Sequence, residues 1–271
     1  MQIVTAPSAL IARLQAIKLQ GVNIVTNYFP DPAKVQAWIR CGELFSVVDE
    51  KAVAILLRRD RDFFHLYFLA SGIEALAEAL PRVTRQQPAV LTADLIGRDE
   101  DLQSMVNLFR QSGFHLHAKL VRLARIAPPD SSSSFQSHPD VVSADQEDAV
   151  AVLSLLESNF DRHAEQLPGL EDIRQAVERQ EILVIKKDNA LAGLLFYEII
   201  GLTSILRYWL VDTRFRDQHV GSRLMHAYFA RCPKIRRFIL WVIADNDRAI
   251  QKYHHYSFAT DGLMDQVMIY C

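Results

Sequence analysis

A short segment near the C-terminal end of the chain, Gln218-His219-Val220-Gly221-Ser222-Arg223, lies between an apolar strand and an amphipathic helix in the order that the sequence predicts. The strand is expected from Ile205 to Val211 and the helix from about Ser222 to Ala230. A turn that leads into a helix presents several backbone N–H groups without partners at one point. The helix dipole adds partial positive charge there, so the turn suits a phosphate or pyrophosphate.

A second strand and helix follow directly, the strand from Phe238 to Ala244 and the helix from Asn246 to a point near Phe258. Taken together, the two segments resemble the GNAT superfamily of N-acetyltransferases. The acyl-CoA signature of that family is Arg or Gln, two residues, Gly, one residue, and then Gly or Ala. Gln218 and Gly221 match it, whereas Arg223 stands where the family usually has Gly or Ala.

The second family signature, N-x-x-A-x-x-x-Y-x-x-x-G-F, is similar to Asn246, Ala249, Tyr253 and Phe258, with Ser257 in place of the glycine. The resemblance covers roughly residues 141 to 271. It implies that acetyl-CoA is bound as a co-substrate and that no metal is needed. The residues implied to bind acetyl-CoA lie at the strand end, in the turn and at the start of the last helix: Leu210, Val211, Gln218, His219, Val220, Gly221, Ser222, Arg223 and Asn246.

Individual roles follow from the same resemblance. The donor to the thioester carbonyl is implied to be a backbone N–H late in the fourth strand, at Leu210 or Val211. A further glycine is common at the position of His219. Gly221 would let the backbone approach the phosphate, and the alternative is that it permits close packing of helix on strand. Asn246 is expected to cap its helix and to contact the pantetheine arm.

Tyr253 occupies the position of the family's catalytic acid, and the alternative is a tyrosine that packs against the sheet. The general base is expected to be Glu198, the only carboxylate in the predicted central strands. Asp161 and His163 are alternatives, because the segment after the first helix of this half commonly lines the acceptor site in the family.

A segment rich in Pro and Ser, 127–139, divides the chain into halves of similar length. We therefore predict a domain at 1–127, a linker at 128–140 and a second domain at 141–271. The first half repeats the order of helices and strands, but only Ala70-Ser71-Gly72 stands where the acyl-CoA signature would lie. We expect a degenerate GNAT-like domain there, and a different α/β domain is the alternative.

The predicted fold class is α/β (α+β), with tandem GNAT-like domains, each a mixed, mostly antiparallel central sheet flanked by helices. In the second half, Ser143 and Gln146 are expected to form a capping box before a helix over Ala149 to Phe160. Asp188-Asn189 is expected to form a hairpin turn.

Composition excludes several classes of protein. The chain has 271 residues, of which 50% are hydrophobic, so it can bury a core. A formal net charge of −2 argues against a nucleic-acid binder, and also against an aminoacyl transferase, which would need a basic RNA-binding surface. Cys41, Cys232 and Cys271 are far apart and have no metal-ligand spacing. Without an evident leader or membrane span, a cytoplasmic protein with no membrane partner is expected.

The expected function is transfer of acetyl from acetyl-CoA to a primary amine, on a small molecule or a peptide, by direct attack in a ternary complex. A covalent route is not expected, because no cysteine lies where an acyl-enzyme would form. The alternative is a catalytically inactive pseudo-acetyltransferase that binds CoA or acts through protein partners. A homodimer is possible on this reading, and the acceptor is left open.

Overall fold

The computed structural model of the chain describes residues 1–21, 23–28, 31–86, 89–127, 135, 138–188 and 190–271. These residues divide into two compact units. Unit 1 comprises Met1–Leu120 and Gly262–Cys271, and unit 2 comprises Val121–Asp261. The last ten residues thus group with unit 1, whereas the sequence assigned them to the second domain. Most of the predicted linker lies outside the described residues. Asn189 of the predicted hairpin turn also lies outside them.

Unit 1 contains a mixed sheet in the strand order β1-β3-β4-β5-β6-β13, with β2 on the edge of β5. Its elements are β1 (Gln2–Ile3), α1 (Pro7–Lys18), β2 (Val25–Thr26), α2 (Pro32–Arg40), β3 (Leu44–Glu50), β4 (Val53–Asp60), β5 (Phe63–Ala70), α3 (Ile73–Gln86), β6 (Leu91–Gly97), α4 (Asp99–Gln111), the first part of β7 (His115–Ile126) and most of β13 (Ala259–Tyr270). The strands β3, β4 and β5 are antiparallel, and β6 runs parallel to β5.

Both faces of this sheet are buried, which explains the unbroken apolar run in β4. Ile55 and Leu57 face one apolar cluster with α3 and α4, whereas Ala54 and Leu56 face a second cluster with α1. A strand covered on both faces has no solvent side on which polar residues could alternate.

Unit 2 repeats the plan in the strand order β12-β11-β10-β9-β8. Its elements are β8 (Val142–Ser143), α5 (Ala149–Asn159), α6 (Leu170–Glu178), β9 (Ile182–Lys187), β10 (Ala190–Ile200), β11 (Thr203–Val211), α7 (Val220–Arg231), β12 (Arg237–Ile243) and α8 (Asp247–His255), with the ends of β7 and β13. The pairs from β8 to β11 are antiparallel and β12 is parallel to β11. The predicted mixed, mostly antiparallel sheet flanked by helices is confirmed.

The predicted capping box is wrong in its residues. Asp145, not Ser143, accepts the N–H groups of the first turn, and Asp148 returns the bond to the Asp145 N–H at 2.9 Å. Ser143 lies in β8 and its hydroxyl accepts from Arg231, while the Gln146 side chain donates to the Arg174 carbonyl oxygen. The helix thus begins with a short 3₁₀ turn that the apolar periodicity did not reveal. Among the described residues, no helix is long and apolar enough to cross a membrane.

In both units, two adjacent parallel strands stop pairing before they end. In unit 2, β11 and β12 pair only from Thr203–Leu206 with Arg237–Leu240, and then continue to Val211 and Ile243 without further pairs. In unit 1, β5 and β6 pair only at Phe64–His65 with Leu91–Thr92. We call residues 207–211 with 241–243 the wedge of unit 2, and residues 66–70 with 93–97 the wedge of unit 1.

The wedge of unit 1 is filled by its own chain. Strand β2 pairs with the end of β5, and Asn27 follows it into the wedge, where its side chain is 8% exposed. The Asn27 amide accepts the Phe68 N–H at 2.7 Å and donates to the Leu66 carbonyl oxygen at 2.8 Å. The Thr26 hydroxyl donates to the Phe68 carbonyl oxygen at 2.7 Å. The edge of β5 beyond its last pair with β6 is therefore hydrogen-bonded at Leu66 and Phe68.

Replacing Asn27 with Ala should destabilise unit 1. The change leaves the Phe68 N–H and the Leu66 carbonyl oxygen buried without partners, which costs about 3 kcal/mol. Urea unfolding followed by circular dichroism measures the loss. Asn23→Ala is the matched control, because Asn23 is exposed in the same segment and should change stability by less than about 0.5 kcal/mol. Equal, small effects of the two changes would contradict the role given to Asn27.

Candidate active site

The turn 212–219 of unit 2 joins β11 to α7. The Asp212 carboxylate accepts the Arg214 N–H at 2.9 Å and so begins the turn. Asp217 and His219 then take left-handed backbone conformations, with φ of 62° and 58°, and α7 begins at Val220, earlier than the predicted start at Ser222. The φ of His219 explains why glycine is common at this position in the family, since glycine adopts it without steric cost.

The N-terminus of α7 has no side-chain cap from the described residues. By contrast, Asn246 caps α8 as predicted, by accepting the Ala249 N–H at 3.1 Å. The Arg223 N–H is the first to reach an intrahelical acceptor, the His219 carbonyl oxygen, at 3.1 Å. The N–H groups from Val220 to Ser222 precede it and have no acceptor within the helix. The sequence assigned the N–H groups from Gln218 to Arg223 to a pyrophosphate. That of Arg223 is thus used within the helix, and the assignment of the others stays a prediction.

Two cations hold the turn from outside. The Arg223 guanidinium donates to the Gln218 carbonyl oxygen at 3.0 Å and forms an ion pair with Asp140. The Lys187 ammonium donates to the Gln218 side-chain oxygen at 2.6 Å. Arg223, which departs from the family signature, thus stabilises the turn through a hydrogen bond to the Gln218 carbonyl oxygen. The positive charge of Lys187 beside these N–H groups further favours an anion, whereas the charge of Arg223 is paired with that of Asp140.

Gly221 has a packing reason to be glycine. A Cβ at this position would lie 3.2 Å from the Trp209 ring and 3.3 Å from a Val211 methyl group. Gly193 in β10, which the sequence did not single out, is more constrained, because a Cβ there would lie 2.8 Å from both the Leu210 carbonyl oxygen and a Val220 methyl group. The two glycines let the start of α7 rest directly on the strands beside the wedge.

Strand alternation decides which N–H groups face the wedge of unit 2. The Asp212 N–H donates to the Ala192 carbonyl oxygen of β10 at 3.0 Å. Successive residues of a strand point their N–H groups to opposite edges. The N–H of Leu210 therefore also faces β10, whereas the N–H of Val211 and that of Trp209 face the wedge. Of the two predicted donors, only Val211 has the required direction.

Trp209 adds a further donor at this place. Its ring packs on Tyr253 and Tyr256 of the α8 region, with centroid distances of 5.5 and 5.9 Å. Its indole N–H is buried and finds no acceptor among the described residues. A buried N–H without a partner is costly in a folded protein, and an acceptor from outside the chain, such as a ligand or an ordered water, would satisfy it.

Tyr253 of α8 is 8% exposed. Burial, reinforced by the negative charge of Glu165, raises the pKa of its phenol well above the usual range. The phenol is therefore protonated at neutral pH, which is the state that a proton donor requires. The ring also packs on Phe258 at 5.9 Å, so packing and a catalytic role coexist at this position, and the catalytic role stays a prediction.

An open cavity of about 530 Å³ lies at the mouth of the wedge of unit 2. Its lining comes from the loop after α5, the end of β12 and the start of α8: Asn159, Phe160, Asp161, Glu165, Ile243, Asp245 and Asn246. A larger open cavity of about 800 Å³ lies beside α5 and β9 and is lined by Lys186, Lys187 and Arg214 among others. The smaller cavity adjoins the wedge at Ile243, the last residue of β12.

Glu165 was missed by the sequence reasoning, although it lines this cavity. Burial raises the pKa of its carboxyl to about 7, although the hydrogen bond from the Asp161 N–H acts in the opposite direction. Nothing in the local sequence distinguishes it from other loop carboxylates, because the loop gains its position only by packing on the sheet.

Glu198, the predicted base, lies elsewhere. It pairs with Ile205, before the last pair of β11 with β12 and thus on the closed side of the wedge, and its carboxylate lies 3.9 Å from the Arg207 guanidinium. Asp161 lines the cavity, and one oxygen of its carboxylate accepts the His163 N–H at 2.8 Å. The roles predicted for Glu198, Asp161 and His163 stay predictions, and the position of Glu198 does not favour its role.

The sequence of residues 149–258 matches the family model described as Acetyltransferase (GNAT) family. No curated protein matches the chain. Several solved structures are similar over nearly the whole chain. A tandem GNAT protein from the clavulanic acid biosynthesis pathway is 14% identical, with a TM-score of 0.61, and the match covers 97% of this chain and 94% of that one.

A GCN5-related N-acetyltransferase from Sphaerobacter thermophilus is 15% identical, with a TM-score of 0.60, and 97% of this chain and 93% of that chain are covered. A GNAT acetyltransferase from Colwellia psychrerythraea is 12% identical, with a TM-score of 0.57 and coverage of 98% and 97%. At these identities the likeness concerns the fold. Residues 149–258 thus form a GNAT-family acetyltransferase domain, in a chain that has the fold of tandem GNAT proteins.

Proposed function

We propose that unit 2 transfers an acetyl group from acetyl-CoA to a primary amine, by direct attack in a ternary complex. The observation that carries this proposal is the wedge of unit 2. Its edge on β11 presents the N–H groups of Trp209 and Val211, and the uncapped N-terminus of α7 lies at the same end of the strand. The corresponding edge in unit 1 is filled by Asn27.

The residues present fit acetyl-CoA. The indole N–H of Trp209 lacks an acceptor among the described residues, and the start of α7 offers three N–H groups without intrahelical acceptors beside Arg223 and Lys187. Acetyl-CoA, when bound, supplies an activated thioester. Val211 would donate its N–H to the thioester carbonyl oxygen and stabilise the negative charge that develops there. Tyr253 would give its proton to the leaving sulfur.

Direct attack is supported by the state of the cysteine in this unit. Cys232 is buried at the C-terminal end of α7, and burial raises the pKa of its thiol to about 12. A thiol with that pKa is protonated at neutral pH and is a poor nucleophile.

Ser222 offers a direct test of the pyrophosphate site. A carboxylate in the first turn of a helix stabilises the helix but repels a phosphate placed on its N-terminus. Ser222→Glu should therefore weaken acetyl-CoA binding at least tenfold in calorimetric titration, which corresponds to about 1.4 kcal/mol, without lowering the melting temperature. Ser222→Gln is the uncharged control and should bind within about threefold of wild type. Equal affinities of the two variants would contradict the site.

Tyr253→Phe tests the proton donor. Turnover should fall by roughly 100-fold, measured as release of the CoA thiol with a panel of primary amines, while the affinity for acetyl-CoA stays nearly unchanged. Tyr256→Phe is the control, since it removes a hydroxyl from a neighbouring aromatic residue that also packs on Trp209. A large loss of affinity in Tyr253→Phe would make Tyr253 a packing residue. Acetyl-CoA binding by wild type without turnover of any amine would favour the inactive, CoA-binding alternative.

A further inference from the structure

The loop between α5 and α6 is held firmly against the sheet of unit 2. The Tyr208 hydroxyl of β11 donates to the carbonyl oxygens of Glu165 and Gln166, each at 2.9 Å. The Tyr208 ring also packs on Phe160, with a centroid distance of 5.1 Å. The backbone of Glu165 is therefore fixed by a residue of the strand that forms one side of the wedge.

The side chain of Glu165 is oriented as well. Its Oε2 accepts the Asp161 N–H at 2.8 Å, and its own N–H donates to the Asp161 carbonyl oxygen at 2.8 Å. Oε1 accepts no hydrogen bond from the described residues, and the carboxylate lines the cavity at the wedge. One oxygen is thus held in place, and the other remains able to accept a proton.

Among the described residues, four titratable groups lie around Glu165. Asp161 lies on the same loop, Tyr208 on β11, Tyr253 on α8, and Asp245 lines the same cavity. Asp161 disfavours ionisation of Glu165, whereas the Asp161 N–H favours it, and burial outweighs both, so that the pKa rises from 4.5 to about 7. A carboxylate in this environment is a stronger base than an exposed one, yet it is still partly ionised at neutral pH.

We propose that Glu165 is the general base that removes a proton from the acceptor ammonium in the cavity beside the wedge. This assignment rests on the proposed function of unit 2. It places the base on the loop between the first two helices of the unit, rather than on a central strand where the sequence predicted it.

The proton balance is complete with the residues present. Oε1 of Glu165 takes one proton from the ammonium, and the neutral amine nitrogen then forms the C–N bond as the C–S bond breaks. The phenol of Tyr253 gives its proton to the sulfur. The nitrogen then releases its second proton to the Tyr253 phenolate, and Glu165 returns its proton to solvent. The products are the amide, free CoA and one proton.

The other carboxylates near the site are less suited. Asp161 uses its carboxylate to fix the turn of its own loop, where one oxygen accepts the N–H groups of His163 and Ala164. Glu198 lies on the closed side of the wedge beside Arg207. Asp245 lines the cavity and is the rival that an experiment must distinguish from Glu165.

The test compares wild type with Glu165→Gln, which keeps the shape and removes the base. In wild type, kcat/KM should rise with pH through a midpoint near 7, because the base acts only when it is deprotonated. In Glu165→Gln this limb should disappear and turnover at pH 7 should fall about 100-fold, with recovery above about pH 9, where the free amine exists in solution. Acetyl-CoA affinity should be unchanged.

Two matched variants serve as controls. Asp245→Asn removes the rival carboxylate and should retain the rising limb of the pH profile. Glu178→Gln alters an exposed carboxylate at the end of α6 and should behave as wild type. The expected loss of turnover in Glu165→Gln can be distinguished from a loss of folded protein. A carboxyl whose pKa is raised by folding lowers stability as the pH rises from about 4.5 to 7, so Glu165→Gln should be at least as stable as wild type at pH 8.

A second readout does not depend on activity. In protein with carbonyl-labelled glutamate, the ¹³C resonance that Glu165→Gln lacks should titrate with a midpoint near 7. A midpoint near 4.5 overturns the proposal, as does an Asp245→Asn variant that loses the pH limb while Glu165→Gln retains it. Failure of wild type to bind acetyl-CoA or to acetylate any amine in the panel would count against the proposed function instead.

Discussion

In each unit, two adjacent parallel strands stop pairing part-way along their length, β5 and β6 in unit 1 and β11 and β12 in unit 2. A strand edge that loses its neighbour leaves N–H and carbonyl groups that must find other partners, since buried backbone groups without hydrogen bonds are costly. In unit 1, Asn27 and Thr26 supply those partners and the wedge is filled. In unit 2, the edge of β11 keeps its N–H groups at Trp209 and Val211 directed into the wedge. The same fold thus produces a self-satisfied edge in one unit and a candidate binding edge in the other.

The elements around the wedge of unit 2 position polar groups at this edge of β11. Gly193 and Gly221 allow α7 to begin close to β10 and β11, which brings the N–H groups at the start of the helix to the end of the open edge. Arg223 and Lys187 hold the turn by Gln218, and Lys187 adds positive charge there. On the other side, Tyr208 ties the loop that carries Glu165 to the sheet. The N–H groups at the start of α7 and a carboxylate are therefore placed at different ends of one short strand segment.

The environments of Tyr253 and Glu165 complement each other. Both side chains have a raised pKa through burial, so the phenol stays protonated while the carboxyl becomes a base near neutral pH. Groups whose protonation states differ at one pH can act as acid and base in the same reaction. The complementary protonation states arise because α8 and the loop after α5 both pack on β11. Neither segment produces them alone.

The local features of unit 2 are predictable from its sequence alone. The apolar run of β11, the Gln218–Gly221 turn and the Asn246 cap depend on neighbours within a few residues, so their types and spacing predict them. Three other features follow from the folded chain and not from any local segment: the insertion of Asn27 beside Phe68, the grouping of 262–271 with unit 1, and the placement of Glu165 at the wedge. Each of these depends on contacts between residues far apart in the chain, and no local pattern encodes such contacts.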